Sequence, residues 1–325
     1  MGKMMCNIQI MKRIILIAVV ALMSCVTLSA QGVQRDTFHY ATNGGEELYL
    51  DRYALDEASD AERPCMIFAF GGGFVQGVRD HEYYSIYFDR LAKAGIVVVS
   101  IDYRLGLKDL PSDIGIVGMI GKMQNAVTIA VEDIYCATNF VVANAEAWGV
   151  DTSKIMLSGS SAGAIASLQA EWMRCNGDER ATVLPAGFRY AGVVSCAGAI
   201  FTAHGKPKFD TVPAPMLLFH GTSDSNVPYN KASVMGVGFY GSKYVAKQLK
   251  KIDAPYYFYS AEYVDHILAG TPLWERCDLI LQFIEDYVIE GRPYQQECVE
   301  KRVGAERRPT RFTVKEYLST NYKRK

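Results

Sequence analysis

Along this chain, short apolar runs alternate with longer stretches in which apolar residues recur every three or four positions. The runs at 65–70, 96–101, 154–158, 190–195, 216–220 and 256–260 have strand length and little alternation, the pattern of strands buried on both faces of a sheet. Between them the spacing predicts helices over 82–94, 125–148, 162–175, 242–252 and 273–289. Upstream, segments 37–41 and 47–52 flank Asn43-Gly44-Gly45, residues that accept the positive φ of a tight turn, and they read as a hairpin. The rhythm of strand and helix predicts an α/β fold, with a mostly parallel central sheet and helices on both faces. Stretches 105–122 and 197–214 show neither period and are expected to be long loops bordering a binding site. The polar, basic region 291–325 is expected to wrap the surface or fray.

The N-terminus departs from this rhythm. Lys12 and Arg13 precede an apolar run at 14–23, followed by the small residues Ser29 and Ala30, which is the layout of a signal peptide over residues 1–30. That run is shorter than the roughly 20 apolar residues a membrane span needs. No comparable run follows, so an exported protein, periplasmic or secreted and without a membrane span, is expected. Cleavage after Ala30 leaves Gln31 first; Leu22, Ser24 and Cys25 also fit a lipoprotein signal anchored through Cys25, and Met11 is a second candidate start. The rest, 31–325, is half apolar and of a size that suits one α/β domain.

Charge and cysteine content narrow the partners. The chain has 34 Lys and Arg against 35 Asp and Glu, so it lacks the basic footprint that a nucleic acid or an anionic membrane requires, and a small or neutral partner is expected. Outside the leader, Cys65, Cys136, Cys175, Cys196, Cys277 and Cys298 are dispersed with no CxxC or nearby histidine, a pattern that argues against zinc. Export permits disulfides, but Cys65 and Cys196 lie in apolar runs, where buried thiols are the ordinary reading. Pairing and oligomeric state are left open.

Gly159-Ser160-Ser161-Ala162-Gly163 fits G-x-S-x-G and falls where a strand must turn sharply into a helix. Glycines at both ends allow strand and helix to approach, which would hold Ser161 out above the sheet as a nucleophile. A serine hydroxyl needs a base to take its proton and a carboxylate to orient that base. His266 follows the last candidate strand, whereas His39, His81, His204 and His220 read as surface or packing residues. Asp224 lies just past the strand before His266, which gives the chain order Ser, Asp, His. Asp253 falls at a helix end, and Asp265 is too close in sequence to His266 to accept from its Nδ1. Gly71-Gly72-Gly73 after the first core strand supplies backbone N–H groups for a developing oxyanion.

Together Phe70-Gly71-Gly72-Gly73-Phe74, Asp102-Tyr103-Arg104-Leu105-Gly106, the Ser161 turn and residues 221–229 resemble the carboxylesterase and hormone-sensitive-lipase branches of the α/β-hydrolase superfamily, over roughly residues 35–290. The resemblance implies that Gly72 and Gly73, with Ala162, donate to the oxyanion. Phe70 stands where that group carries a histidine that shapes the loop. The short, strand-like N-terminal segment leaves little or no cap domain, so an open site is expected, able to admit an acylated sugar or polysaccharide. The implied activity is hydrolysis of carboxylic esters through an acyl-enzyme, with no metal or organic cofactor. The base must be neutral to work, so activity falls on acidification. Peptidase and acyltransferase chemistry use the same triad order, and a non-catalytic binding protein can keep the fold. Tyr83, Tyr84, Trp148, Tyr229, Tyr240 and Trp274 are candidates for either the site or the core.

Overall fold

The computed structural model describes residues 32–55, 62–110, 114, 116–304, 306, 312 and 313; the expected signal peptide and its Cys25 lie outside them. Among the described residues the strands in chain order are β1 (Val33–Asn43), β2 (Glu46–Leu55), β3 (Arg63–Ala69), β4 (Val97–Ile101), β5 (Val150–Ser160), β6 (Gly192–Cys196), β7 (Ala199–Thr202), β8 (Met216–Gly221), β9 (Lys231–Val234), β10 (Val237–Gly241), β11 (Tyr256–Ala261) and β12 (Gln295–Glu300). The helices are α1 (Ser85–Lys93), α2 (Ile116–Ala143), α3 (Ala145–Trp148), α4 (Ala162–Cys175), α5 (Ser242–Lys251), α6 (Pro272–Glu275) and α7 (Cys277–Phe283), the last running into a π-helical turn, Ile284–Ile289.

Nine strands pair in the order β1-β2-β4-β3-β5-β6-β8-β11-β12. The β1–β2 hairpin joins β4 antiparallel, and from β4 to β12 every pairing is parallel. The covered faces explain the continuous apolar runs: Cys65 to Phe70 and Ile96 to Val99 are all buried. Tyr87, Phe88 and Leu91 of α1 pack on the sheet, with Phe68 edge-on to Tyr87 and Phe88. Each such side chain contributes about 1.5–3 kcal/mol. The chain leaves β4 and crosses back past β3 to form β5, so the strand order reverses around β3. In open α/β sheets a ligand crevice lies outside the carboxyl ends of the strands at such a point.

Three expectations need correction. The stretch 105–122 is loop only in its first part, because α2 begins at Ile116; Gly118 and Gly121 weaken the helical signal there. The stretch 197–214 contains β7, which forms a second, antiparallel sheet in the order β7-β10-β9. The region 291–325 is not merely a surface tail, since β12 pairs with β11 from Gln295 to Glu300 as an edge strand. Residues 117–143 of α2 are apolar and long enough to cross a membrane, but more than half of the most apolar 18 residues within them are buried in the fold. Its buried Asp133 accepts from the Arg104 backbone N–H and guanidinium and from Asn43, fastening the loop after β4 to the hairpin turn. The six cysteines named above are all free thiols.

Candidate active site

Strand β5 passes into α4 through a single residue. Ser161 has φ 50° and ψ −112°, a backbone conformation that an L-residue adopts only when its surroundings enforce it. Packing does the enforcing. A Cβ on Gly163 would fall 2.0 Å from the Ala69 carbonyl oxygen of β3, and one on Gly159 would fall 2.4 Å from Gly163. The Ser161 N–H is anchored at 2.9 Å to the Cys196 carbonyl, and the Ser161 carbonyl accepts from Ile165. Its side chain makes no helix cap, leaving Oγ directed to His266 Nε2 at 2.8 Å.

His266 opens a 3₁₀ turn (His266–Ala269) after β11, capped by Asp265, whose carboxylate accepts from Ile267 N–H. Asp265 is therefore occupied locally, as its place in the sequence implied. His266 Nδ1 lies 2.7 Å from Asp224 Oδ2. Asp224 sits in the turn after β8, where its Oδ1 accepts from the Asn226 and Val227 N–H groups, each at 2.9 Å. Burial pushes the Asp224 carboxyl up, but the two histidines beside it, His266 foremost, outweigh that and hold it well below the usual carboxylate range. The aspartate and histidine loops are tied by backbone: Thr222 N–H donates to Ala261, Ser223 N–H to Val264, and Tyr263 N–H to the Thr222 hydroxyl. Gly221 allows this, since a Cβ there would meet the Val264 carbonyl at 2.2 Å.

The glycine loop lies against the serine turn, with the Cβ position of Gly71 only 3.4 Å from Ser161 Cβ. Gly72 has φ 134° and accepts from both Val75 and Gln76 N–H; a Cβ on it would collide with the Gln76 carbonyl at 1.8 Å. Ala162 is the first residue of α4, where helix N–H groups have no intrahelical acceptor. Two tyrosines hold the loop beside Phe70. Tyr84 OH accepts from Gly71 N–H at 3.1 Å, and Tyr103 OH donates to the Phe70 carbonyl at 2.8 Å while its ring stacks on Phe70. Tyr103 belongs to the motif already noted; nothing in the spacing of Tyr84 marks it as a loop partner.

A cavity of about 490 Å³ opens beside the loop, lined by Gly71, Gly72, Gln76, His81, Tyr83 and Tyr84 among others. Tyr83 is 44% exposed, stands edge-on to Trp274 at 4.3 Å, and has its hydroxyl against Gly270 in the histidine turn. Trp148 and Tyr240 are core residues. A larger, apolar cavity of about 630 Å³ lies between Met119, Met123 and the β9–β10 hairpin, and none of the residues discussed above lines it. His39 pairs with Glu47 on the hairpin, and Asp253 sits at the end of α5 with φ 52°. Burial pushes the Cys65 and Cys196 thiols up. Among the described residues, no group of three or more His, Cys, Asp or Glu is arranged to hold a metal ion.

The family model described as BD-FAE matches residues 50–181, a segment that takes in the glycine loop and the Ser161 turn but ends before Asp224 and His266. Esterase B1 of Culex pipiens is 30% identical over 128 residues, which is 38% of this chain and 22% of that protein. Fumonisin B1 esterase of Sphingopyxis macrogoltabida is 30% identical over 129 residues, 37% of this chain and 22% of that protein. The matched stretch thus spans about a fifth of the length of these relatives. Among solved structures, esterase 2 of Thermogutta terrifontis has a TM-score of 0.55 at 19% identity, covering 79% of this chain and 95% of that one. The same enzyme phosphorylated by paraoxon gives a TM-score of 0.56. Sheet order, serine turn and these likenesses show an α/β-hydrolase fold, similar to that of the esterases named.

Proposed function

We propose that this protein is a serine carboxylesterase working through Ser161, His266 and Asp224. One observation carries the reading: the unbroken chain from Ser161 Oγ to His266 Nε2 at 2.8 Å, and from His266 Nδ1 to Asp224 Oδ2 at 2.7 Å. In this reading His266 takes the proton as Ser161 Oγ adds to the ester carbonyl, and Asp224 stabilises the imidazolium. The N–H groups of Gly72, Gly73 and Ala162 receive the oxyanion. His266 then gives its proton to the departing alcohol, water attacks the acyl-enzyme by the same route, and the acid leaves. The names of the relatives support an esterase, and the organophosphate adducts of Thermogutta terrifontis esterase 2 accord with a reactive serine in this fold.

The open cavity beside the glycine loop, with an exposed tyrosine face and the polar edges of Gln76 and His81, suits an ester whose remainder is a ring bearing hydroxyls. We extend the reading to acetylated or feruloylated carbohydrate, met by an exported enzyme. The test is turnover of p-nitrophenyl esters of increasing chain length and of acetylated and feruloylated xylo-oligosaccharides by the wild type and by Ser161→Ala. The expected result is ester hydrolysis that falls at least about 10³-fold in the variant. A folded wild type that turns over no ester and takes no label from a serine-directed phosphonate would overturn the proposal.

A further inference from the structure

Asp224 has a second histidine. His220, at the end of β8, is completely buried, and its Nε2 faces two acceptors: the Val227 carbonyl at 3.1 Å and Asp224 Oδ2 at 3.4 Å. Facing only acceptors, Nε2 must carry the ring proton. On the other side Nδ1 lies 2.8 Å from Ser242 Oγ, at the first residue of α5. Ser242 Oγ has one other neighbour, the Gly198 carbonyl, at a weaker 3.4 Å. Ser242 Oγ thus ties Nδ1 to the start of α5. The Tyr229 ring stands edge-on to the imidazole at 5.7 Å and closes the remaining side.

From this geometry we infer that His220 is a positioning residue for the orienting acid, so that the functional unit is a four-member relay, Ser161, His266, Asp224 and His220, with Ser242 holding the Nδ1 side of the last ring. The inference rests on the reading of Asp224 as the acid that orients His266. Its physical content is the division of labour at the carboxylate. Two backbone N–H groups hold Oδ1, and together with the contacts at Oδ2 they set the carboxylate's rotation about the Cβ–Cγ bond. Oδ2 is the atom that receives His266 Nδ1, and the His220 N–H placed against its other flank adds a further restraint on that rotation. A donor suits this place, because it restrains the carboxylate whose charge the His266 imidazolium needs. The depressed pKa of Asp224 draws on both histidines, in agreement with contact on both flanks.

The experiment compares His220→Leu, His220→Gln and Ser242→Ala with the wild type in steady-state p-nitrophenyl acetate hydrolysis, and by proton NMR of the downfield Nδ1–H that His266 shares with Asp224. Leucine removes the donor; the glutamine amide restores one near the position of Nε2. The expected result is a fall in kcat of at least about tenfold in His220→Leu, the size of one lost hydrogen bond to a charged group, with KM within about twofold and recovery in His220→Gln. The Nδ1–H resonance should move in the leucine variant and return in the glutamine variant. Ser242→Ala, which leaves His220 in place, should lower kcat about threefold or more and move the same resonance, because the imidazole loses the partner that holds its Nδ1 side. If His220→Leu fails to fold, the other two variants decide. Wild-type kcat and an unmoved resonance in Ser242→Ala, or in a folded His220→Leu, would overturn the inference. Because the resonance needs no turnover, it reads His220 separately: a protein without esterase activity whose resonance still responds would cost the function proposed above but keep the relay.

Discussion

The backbone N–H of Gly71 donates to the hydroxyl of Tyr84 at 3.1 Å, which ties the entrance of the glycine loop to a buried side chain beside α1. With the Tyr103 hydroxyl on the Phe70 carbonyl, this bond fixes the direction in which the loop's next N–H groups point. Tyr84→Phe keeps the ring and its contact with Phe68 but removes the acceptor. The expected outcome is a fall in kcat of about five- to tenfold with KM and melting temperature little changed, read from steady-state kinetics and thermal unfolding. An unchanged kcat would mean that the loop keeps its shape without the tyrosine.

Gly163→Ala tests the packing that permits the serine turn. The added methyl would sit 2.0 Å from the Ala69 carbonyl, and both partners are backbone, so α4 must move away from β3. A loss of about 1–3 kcal/mol or more in unfolding free energy is expected, together with loss of phosphonate labelling at Ser161. Denaturant titration and mass spectrometry of the labelled protein check the two parts.

Asp224 provides a test in pH. Its carboxyl is held well below the ordinary range in the fold, while in the unfolded chain it titrates near about 3.9. A depressed folded-state pKa gives stability that is present in full above the unfolded value and is lost as pH falls below it toward the folded one. The difference in unfolding free energy between wild type and Asp224→Asn should therefore be largest near neutral pH and narrow below about pH 4. Denaturant titrations at several pH values measure it; a difference that grows on acidification would contradict the assignment of charge.

Tyr83→Ala removes the exposed wall of the cavity without touching the Ser161–His266–Asp224 chain. KM for bulky or glycosyl esters should rise several-fold, roughly the worth of one aromatic contact, while p-nitrophenyl acetate is turned over as before. Equal loss on both substrates would point instead to a disturbed His266 turn, through the contact of Tyr83 with Gly270.

What could be read from the sequence follows from burial. Helix α4 appears at its expected limits because its apolar positions repeat against two neighbours, and the parallel strands appear because both of their faces are covered. Strand β12 left no such trace: Gln295, Gln296 and Glu297 are exposed, and the segment is a strand because its backbone pairs with β11. Strands β7, β9 and β10 are four or five residues long, and Gly236 and Gly238 interrupt their alternation. The serine turn, Asp224 and His266 could be named from motif and strand order, and the structure brings the three together. Tyr84 and the orientation of His220 could not, since each depends on which side chains a neighbouring element carries to it. That Tyr84 and Tyr103 hold the loop on either side of Phe70 is likewise visible only in the packed loop.

The 105 residues separating Ser161 from His266 have a consequence for folding. The serine is carried by β5, the acid follows β8 and the base follows β11, so the three meet only after a run of long-range parallel pairings has formed, each bearing its own loop-closure cost. On the proposed function, a chain still lacking β11 holds an ordinary, unreactive alcohol at position 161. Nucleophilicity would then be acquired only once β11 has joined the sheet, and an acylating probe would count only molecules that have reached that stage.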